Sequence, residues 1–367
     1  MASRLIMVHI GDFSGCVTSL RTALRAHVAV EDWDLLSLAR RPALAASRLR
    51  ATVEAYQAGR GVPWVKTRAW SEALQRVVER EGLMTRGPVL FVQTLPAFEL
   101  DGGAPYAIYT DRVTREGAAA PSPHRSRFAP GWLVREEAFV RGAARIYLMG
   151  PSTANVLARE YGVAPDRVAV VGAGPNAVLG PERPSSACRT LLFVGREWEA
   201  KGGPELLAAF RVVRREFDDL KLVLAGCRSA GMREERVRCV GPVPLSAMDA
   251  LYTEADALIH PTHREAVGMV LIEALYKGLP CVGTTAGNQR WVIGEAGLIV
   301  EPGRVDALVD ALRALIRHYP EFRRRAQARA REVRETFRWE KVAATMVTDL
   351  RDGAWGPRQE VAQESSR

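Results

Sequence analysis

The sequence predicts an α/β protein built from two doubly wound, parallel-sheet domains. Three observations predict it. Strand-like apolar runs alternate with helix-like stretches twice over, the pattern that parallel sheets covered by crossover helices impose. A Pro- and Ser-rich stretch at 175–189, PNAVLGPERPSSACR, has little apolar periodicity and separates the two sets. The length, 367 residues, exceeds what one hydrophobic core ordinarily serves.

In the first set, RLIMVHI reads as a strand, Gly11 to Gly15 as a loop, and a helix begins near Thr18. The stretch from Ala39 to Glu81 is helical by pattern and rich in arginine. PVLFVQT (88–94), YAIYT (106–110) and ARIYLMG (144–150) are later strands. A helix runs from about Ser152 to Tyr161, and VAVVGAG (168–174) closes the set. After the break come TLLFVG (190–195), KLVLAG (221–226), VRCVG (237–241), ALIHP (257–261) and LPCVGT (279–284), with helices between them. Val305, Leu308, Val309, Leu312, Leu315 and Ile316 fall at helical spacing and form a core-facing stripe. The polar tail after about Gly353 reads as fraying. The domains are accordingly placed at 1–180 and 190–339, with a helix at about 340–354 crossing back to the first.

An apolar fraction of 47% with 25% charged residues suits a globular protein. No apolar run approaches the roughly 20 residues that span a bilayer. The N-terminus enters a strand directly, without the basic and long apolar regions of a signal peptide. Five scattered cysteines (Cys16, Cys188, Cys227, Cys239, Cys281) lack metal or redox spacing, so the expected location is a reducing cytoplasm. The net charge of +9 favours anionic partners. No nucleic-acid motif accompanies that charge, which points to phosphates first. The arginines between Arg40 and Arg68 add an acidic membrane surface as an alternative, through weak peripheral contact at its inner face.

Two motifs carry the chemistry. In HPTHREAVGMVLIEALYKGLPCVGT, a strand ends at Pro261, Glu265 lies in the loop, and a helix starts near Gly268. Glu273 follows roughly two turns along it. The carboxylates are therefore set apart, suited to two separate parts of one long polar ligand. Between them, the first backbone N–H groups of the helix form an anion site. Carboxylate, anion, carboxylate matches sugar hydroxyls, diphosphate and ribose hydroxyls. In FVGREWEAKGGPELLAAF, a strand ends at Gly195 and its loop holds Arg196 and Lys201, a planar fork and a point charge suited to a diphosphate. Lys201 is followed by Gly202 rather than Ser or Thr, which excludes a Walker A loop. Neither half shows a GxGxxG fingerprint with its acidic partner, which disfavours a dehydrogenase.

At these residues the second half resembles the catalytic domain of the family-4 glycosyltransferases, which have the GT-B fold: two Rossmann-like domains facing across a cleft. The resemblance covers about 190–345, including Phe337-Arg338-Trp339 where such chains cross back, and is weaker over 144–176. It implies a retaining transfer of sugar from a nucleotide-diphosphate sugar, UDP- or GDP-linked, to an acceptor hydroxyl, with no metal and no cofactor. The acceptor would be a glycan, a lipid-linked sugar or a small natural product. Arg196 and Lys201 would neutralise the donor diphosphate as charge builds on the leaving phosphate. Glu265 would contact the donor-sugar hydroxyls, and backbone N–H groups near Gly268, Met269 and Val270 the phosphates or sugar. Glu273 would bind the ribose diol, Gly15 would allow close approach of the donor, and residues around Gly241 to Val243 would face the base. Many relatives place a histidine after the first domain's later strand. This sequence has Asp111 there, the candidate to orient the acceptor or the donor's primary hydroxyl. His124 is a second acceptor-side candidate. Trp198 edges the donor loop, where packing explains it as well. The same motifs allow a nucleotide-sugar epimerase, a phosphorylase or a non-catalytic nucleotide-sugar-binding module as alternatives.

Overall fold

The computed structural model describes residues 4–59, 61–100, 105–118, 127–227 and 234–355. It contains two six-stranded sheets, parallel throughout. The first sheet is formed by Arg4–His9 (β1), Ala29–Asp34 (β2), Val89–Val92 (β3), Tyr106–Thr110 (β4), Arg145–Leu148 (β5) and Val168–Val170 (β6). Thr190–Val194 (β7), Lys221–Ala225 (β8), Val237–Gly241 (β9), Ala257–Ile259 (β10), Cys281–Thr284 (β11) and Gly297–Val300 (β12) form the second. The orders are β2-β1-β3-β4-β5-β6 and β12-β11-β10-β7-β8-β9. In each the order reverses once, between β1 and β3 and between β7 and β10. Such a reversal opens a crevice at the carboxyl ends of the strands.

The central strands read correctly in the sequence because helices cover both of their faces, leaving continuous apolar runs such as Leu191, Leu192 and Phe193. Two strands escape that signal. β2 (AVEDWD) and β12 (GLIV) are edge strands, and all four residues of β12 are only partly buried. β2 carries Glu31, Asp32 and Asp34 and so lacks an apolar run, whereas β12 is apolar but short.

One face of the first sheet packs on a core containing Trp70, Phe91, Phe98 and Phe139, and one face of the second on Phe193, Phe210 and Leu312. A third core continues from domain to domain, joining Leu20 and Tyr109 to Leu271, Phe337 and Trp339. The chain crosses back here. The helix Tyr319–Thr336 ends, Phe337 is buried, and Trp339–Arg351 packs against Cys16–Arg25 of the first domain. The Trp339 indole N–H lies 3.0 Å from the Pro175 carbonyl and 3.1 Å from Asn176 Oδ1, pinning the crossing to the outgoing linker. The fraying expected after Gly353 does not hold for Trp355. This residue is buried and donates to the Tyr147 hydroxyl at 2.7 Å, because β5 presents a polar atom to an aromatic that covers apolar surface. Among the described residues, no helix is long and apolar enough to cross a membrane. The cysteines are all free; Cys239 alone is not fully buried.

Candidate functional site

The loops that follow β7 and β10 flank the order reversal of the second sheet, and they bring Lys201 and Glu265 together. Lys201 Nζ donates to Glu265 Oε2 at 2.7 Å. Glycines set this contact. A side chain at Gly195 would press on the Lys201 stem, and one at Gly202, which has φ 73°, would sit 2.0 Å from the Pro261 carbonyl oxygen. The lysine loop can therefore lie directly on the β10 loop only with glycine at 202. Trp198 packs over Gly203 and edge-on against Phe193, so it supports the loop from beneath.

His260 is a partner that the sequence motifs did not single out. It is 1% exposed, and its Nε2 lies 2.8 Å from the same Glu265 oxygen. Burial pulls the imidazole below its usual range, so the ring is neutral. A carboxylate only accepts, which places the proton on Nε2. Against the opposing effect of burial, the His260 hydrogen bond and the Lys201 charge hold the Glu265 carboxyl well below the usual carboxylate range, and the Ala266 N–H donates to its Oε1 at 3.1 Å. Glu265 is thus a fixed anion in the crevice. The pattern that could have revealed His260 is its position at the strand end, five residues before Glu265.

Gly268 caps the helix Met269–Tyr276 with φ 87°, so the helix begins abruptly beside Glu265. The N–H groups of Met269 and Val270 are in its first turn, where no intrahelical acceptor exists. Arg196 is exposed at the mouth of the β7 loop. Val243 lies beyond β9 and packs partly on the shared core.

Glu273 is 3% exposed and already engaged. Its Oε1 accepts the backbone N–H groups of Asn176 at 3.0 Å and Ala177 at 3.1 Å, and its Oε2 the Tyr252 hydroxyl at 2.7 Å. Burial pushes the carboxyl above its usual range, and the three hydrogen bonds oppose that. Asn176 in turn donates to the Ser14 carbonyl at 2.6 Å. Beside it, a side chain at Gly15 would meet Leu245 at 2.9 Å and Asn176 at 3.2 Å. Glu273, the linker and the Gly15 loop therefore form one continuous network joining the domains.

A second bridge was not anticipated. Asn288, 2% exposed, donates through Nδ2 to the Ala266 carbonyl at 2.8 Å, and its Oδ1 accepts the Ser152 N–H at 2.9 Å. It ties the residue next to Glu265 to the start of the helix Ser152–Glu160 in the first domain. Gly287 precedes it at φ 61°, where a side chain would strike the Glu265 carbonyl oxygen.

Asp111 immediately follows β4 and faces this site from the first domain. Burial pushes its carboxyl above the usual range, and the nearby Glu265 charge adds to that. Crevice and facing wall together offer an ionised carboxylate, a lysine, a helix start and a second acid with raised proton affinity. His124 lies outside the described residues.

Residues 188–318 match the family model described as glycosyl transferases group 1. The chain is 28% identical over 274 residues to a D-inositol 3-phosphate glycosyltransferase of Corynebacterium diphtheriae, covering 65% of this chain and 64% of that protein. A phosphatidyl-myo-inositol mannosyltransferase of Mycobacterium leprae is 35% identical over 170 residues, 43% of this chain and 45% of its own length. The match thus spans less than two thirds of these relatives. Among solved structures, sucrose-phosphate synthase from Thermosynechococcus elongatus superposes with a TM-score of 0.68 at 18% identity, covering 95% of this chain and 98% of that one. HepE from Anabaena, solved with UDP and glucose, superposes with a TM-score of 0.63 at 14% identity, covering 96% and 100%. The fold is therefore GT-B, two Rossmann-like domains.

Proposed function

We propose that the chain, whose residues 188–318 form a group 1 glycosyl transferase domain, moves a sugar from a nucleotide-diphosphate sugar to an acceptor hydroxyl. The observation that carries this reading is the Glu265 carboxylate, held ionised by Lys201 and His260 beside the first turn of Met269–Tyr276. Glu265 orients the sugar hydroxyls. Lys201 and Arg196 take up the charge that grows on the diphosphate as the glycosidic bond breaks, assisted by the N–H groups of Met269 and Val270. With cations and a helix start neutralising that charge, the reaction proceeds without a metal. Glu273 keeps lone-pair capacity on Oε2 for the ribose diol, with Gly15 and Val243 bordering the nucleoside. UDP is the first nucleotide to test, since HepE was solved with it; GDP is the second.

The anomeric configuration is retained in this reading, the donor phosphate accepting the acceptor proton on the face that the leaving group vacates. Inversion is the second reading. It is favoured by the raised proton affinity of Asp111, which suits a general base on the opposite wall. The test is a thermal-shift panel of UDP-, GDP-, ADP- and TDP-sugars with and without chelator, then NMR of the anomeric proton in the product. One diphosphate sugar raises the melting temperature regardless of chelator. Loss of that rise with chelator would refute the metal-free reading, and no rise with any donor would refute transfer. An inverted product would make Asp111 the base.

A further inference from the structure

A continuous series of hydrogen bonds runs from the donor wall of the crevice to the facing wall. On the donor wall, the Ala266 N–H donates to Glu265 Oε1 at 3.1 Å. The Ala266 carbonyl accepts both the backbone N–H of Asn288 at 3.0 Å and its Nδ2 at 2.8 Å. Asn288 then reaches across the seam between the domains. Its Nδ2 also donates to Ser152 Oγ at 3.0 Å, and its Oδ1 accepts the Ser152 N–H at 2.9 Å. The approach is close, since a side chain at Gly150 would lie 2.4 Å from Asn288 Cγ.

In the first domain the series continues through Glu116. Its Oε1 accepts the Ser152 hydroxyl at 2.8 Å and its Oε2 the Thr153 hydroxyl at 2.7 Å. Thr153 is fully buried, and its Oγ1 lies 3.3 Å from the Asp111 carbonyl oxygen. The two neighbouring residues thus face different partners, Ser152 the second domain and Thr153 the end of β4. One half-buried carboxylate grips both.

Glu116 stands on a fixed support. It belongs to the short helix Thr114–Ala118. Beside it, the Thr114 hydroxyl donates to the buried Glu136 carboxylate at 2.8 Å, and Arg115 Nε donates to Glu137 Oε1 at 2.7 Å. Both acids lie on the helix Trp132–Gly142, so Thr114–Ala118 is docked there while Glu116 meets the start of Ser152–Glu160. A negative charge is favoured at that place, because the unbonded N–H groups of a first turn make a helix start positive.

Resting on the transfer reading above, we infer that Glu116 is a positioning residue for the reaction. By clamping Ser152 and Thr153 it sets the spacing between Asp111 on one wall and Glu265 on the other, and with it the approach of the acceptor hydroxyl to the donor sugar. Glu116 touches neither substrate in this arrangement. It acts through Ser152 and Asn288 on the loop of Glu265, and through Thr153 on the backbone of Asp111.

Hydrogen exchange followed by mass spectrometry in wild type, Glu116→Ala, Glu116→Gln and Ser152→Ala tests the clamp without any substrate. The Ser152 N–H has its acceptor in the other domain, so its exchange reports opening of the seam. Glu116→Ala removes two hydrogen bonds to a charged group. Exchange at Ser152 and over 265–270 should therefore rise by roughly tenfold or more, while β3 and β7 stay protected. Glutamine keeps an acceptor for the Ser152 hydroxyl and offers its amide nitrogen to Thr153, so Glu116→Gln should retain the protection. Ser152→Ala breaks the same clamp from its other half and should raise exchange over the same two segments. Unchanged exchange at the seam in Glu116→Ala would overturn the inference, and so would a rise spread equally over both sheets, which is ordinary destabilisation.

Release of nucleoside diphosphate from UDP-, GDP-, ADP- and TDP-glucose then reads the consequence. Glu116→Ala should lower kcat by roughly tenfold or more, as misplaced reacting groups do, and Glu116→Gln should recover it. Affinity for UDP should stay at the wild-type value in both, because Arg196, Lys201 and Glu273 are untouched. A wild-type rate in Glu116→Ala with an opened seam would remove the positioning role. If wild type bound none of these donors, the transfer reading would fall, and the exchange data would still decide on the clamp.

Discussion

Replacing Glu273 separates two roles that meet in one side chain. The carboxylate accepts two backbone N–H groups from the linker and the Tyr252 hydroxyl, all within 3.1 Å. Alanine would strand these three donors at a site only 3% exposed. A buried donor without a partner costs about 1–3 kcal/mol, so roughly 3–9 kcal/mol should be lost in all. That is a large share of the about 5–15 kcal/mol of an ordinary domain. Glutamine keeps an oxygen for the two N–H groups and turns its amide nitrogen toward the Tyr252 oxygen, so its loss should be nearer about 1–2 kcal/mol. Urea unfolding of wild type and both variants measures this directly. Nucleotide titration of the glutamine variant then reads the second role, and a ribose contact predicts roughly tenfold weaker binding, about 1.4 kcal/mol. If alanine unfolded within about 0.5 kcal/mol of wild type, the linker network would not be anchored by Glu273. If glutamine bound nucleotide normally, the ribose contact would be removed and the structural role would stand alone.

Lys201→Ala should lower kcat by about 100-fold or more, the range seen when one transition-state electrostatic donor is removed, with a smaller effect on donor affinity; an effect confined to acceptor KM would misplace it. Asn288→Ala removes the hydrogen bonds from Nδ2 to Ala266 and from Ser152 to Oδ1, and should cost about 1–3 kcal/mol. A melting temperature equal to that of wild type would show that this bridge does not couple the domains. Lys66 supplies a pH signature. Its folded-state proton affinity is lowered from 10.5 to about 8, burial leading, with Arg112 and Arg264 adding to it and Glu136 and Asp111 opposing. Between those values the unfolded chain binds more protons, so Lys66 should make stability rise from pH 8 to 10.5. Lys66→Met should lose that increment in urea midpoints, and an identical pH profile would refute the burial of its charge.

The alternation of buried strands and helices made both domains legible, because parallel strands covered on two faces must be apolar along their length. β2 stayed hidden because Glu31, Asp32 and Asp34 interrupt it, and β12 because it is only a short apolar run. Lys201 and Glu265 were readable because each follows a strand at a glycine-marked turn. Their mutual contact was not, since two separate loops build it across the reversal of strand order. His260 looked like the last residue of an apolar strand, and only the fold turns it onto Glu265. Asn288 and the linker contacts of Glu273 depend on how one domain sits on the other, which no local pattern encodes.

The returning helix Trp339–Arg351 has a consequence for how the molecule is made. It covers Cys16–Arg25, while Asp349 binds Arg145 and Tyr147 on β5. During synthesis the first sheet leaves the ribosome with that flank bare, and its cover arrives only after the whole second domain has emerged. The N-terminal half must therefore wait, partly formed and with apolar surface such as Leu20 and Leu24 unshielded, for the helix Trp339–Arg351. A ribosome stalled before residue 339 would hold a nascent chain open to chaperones and proteases in its first domain, although the missing segment lies beyond the whole second sheet.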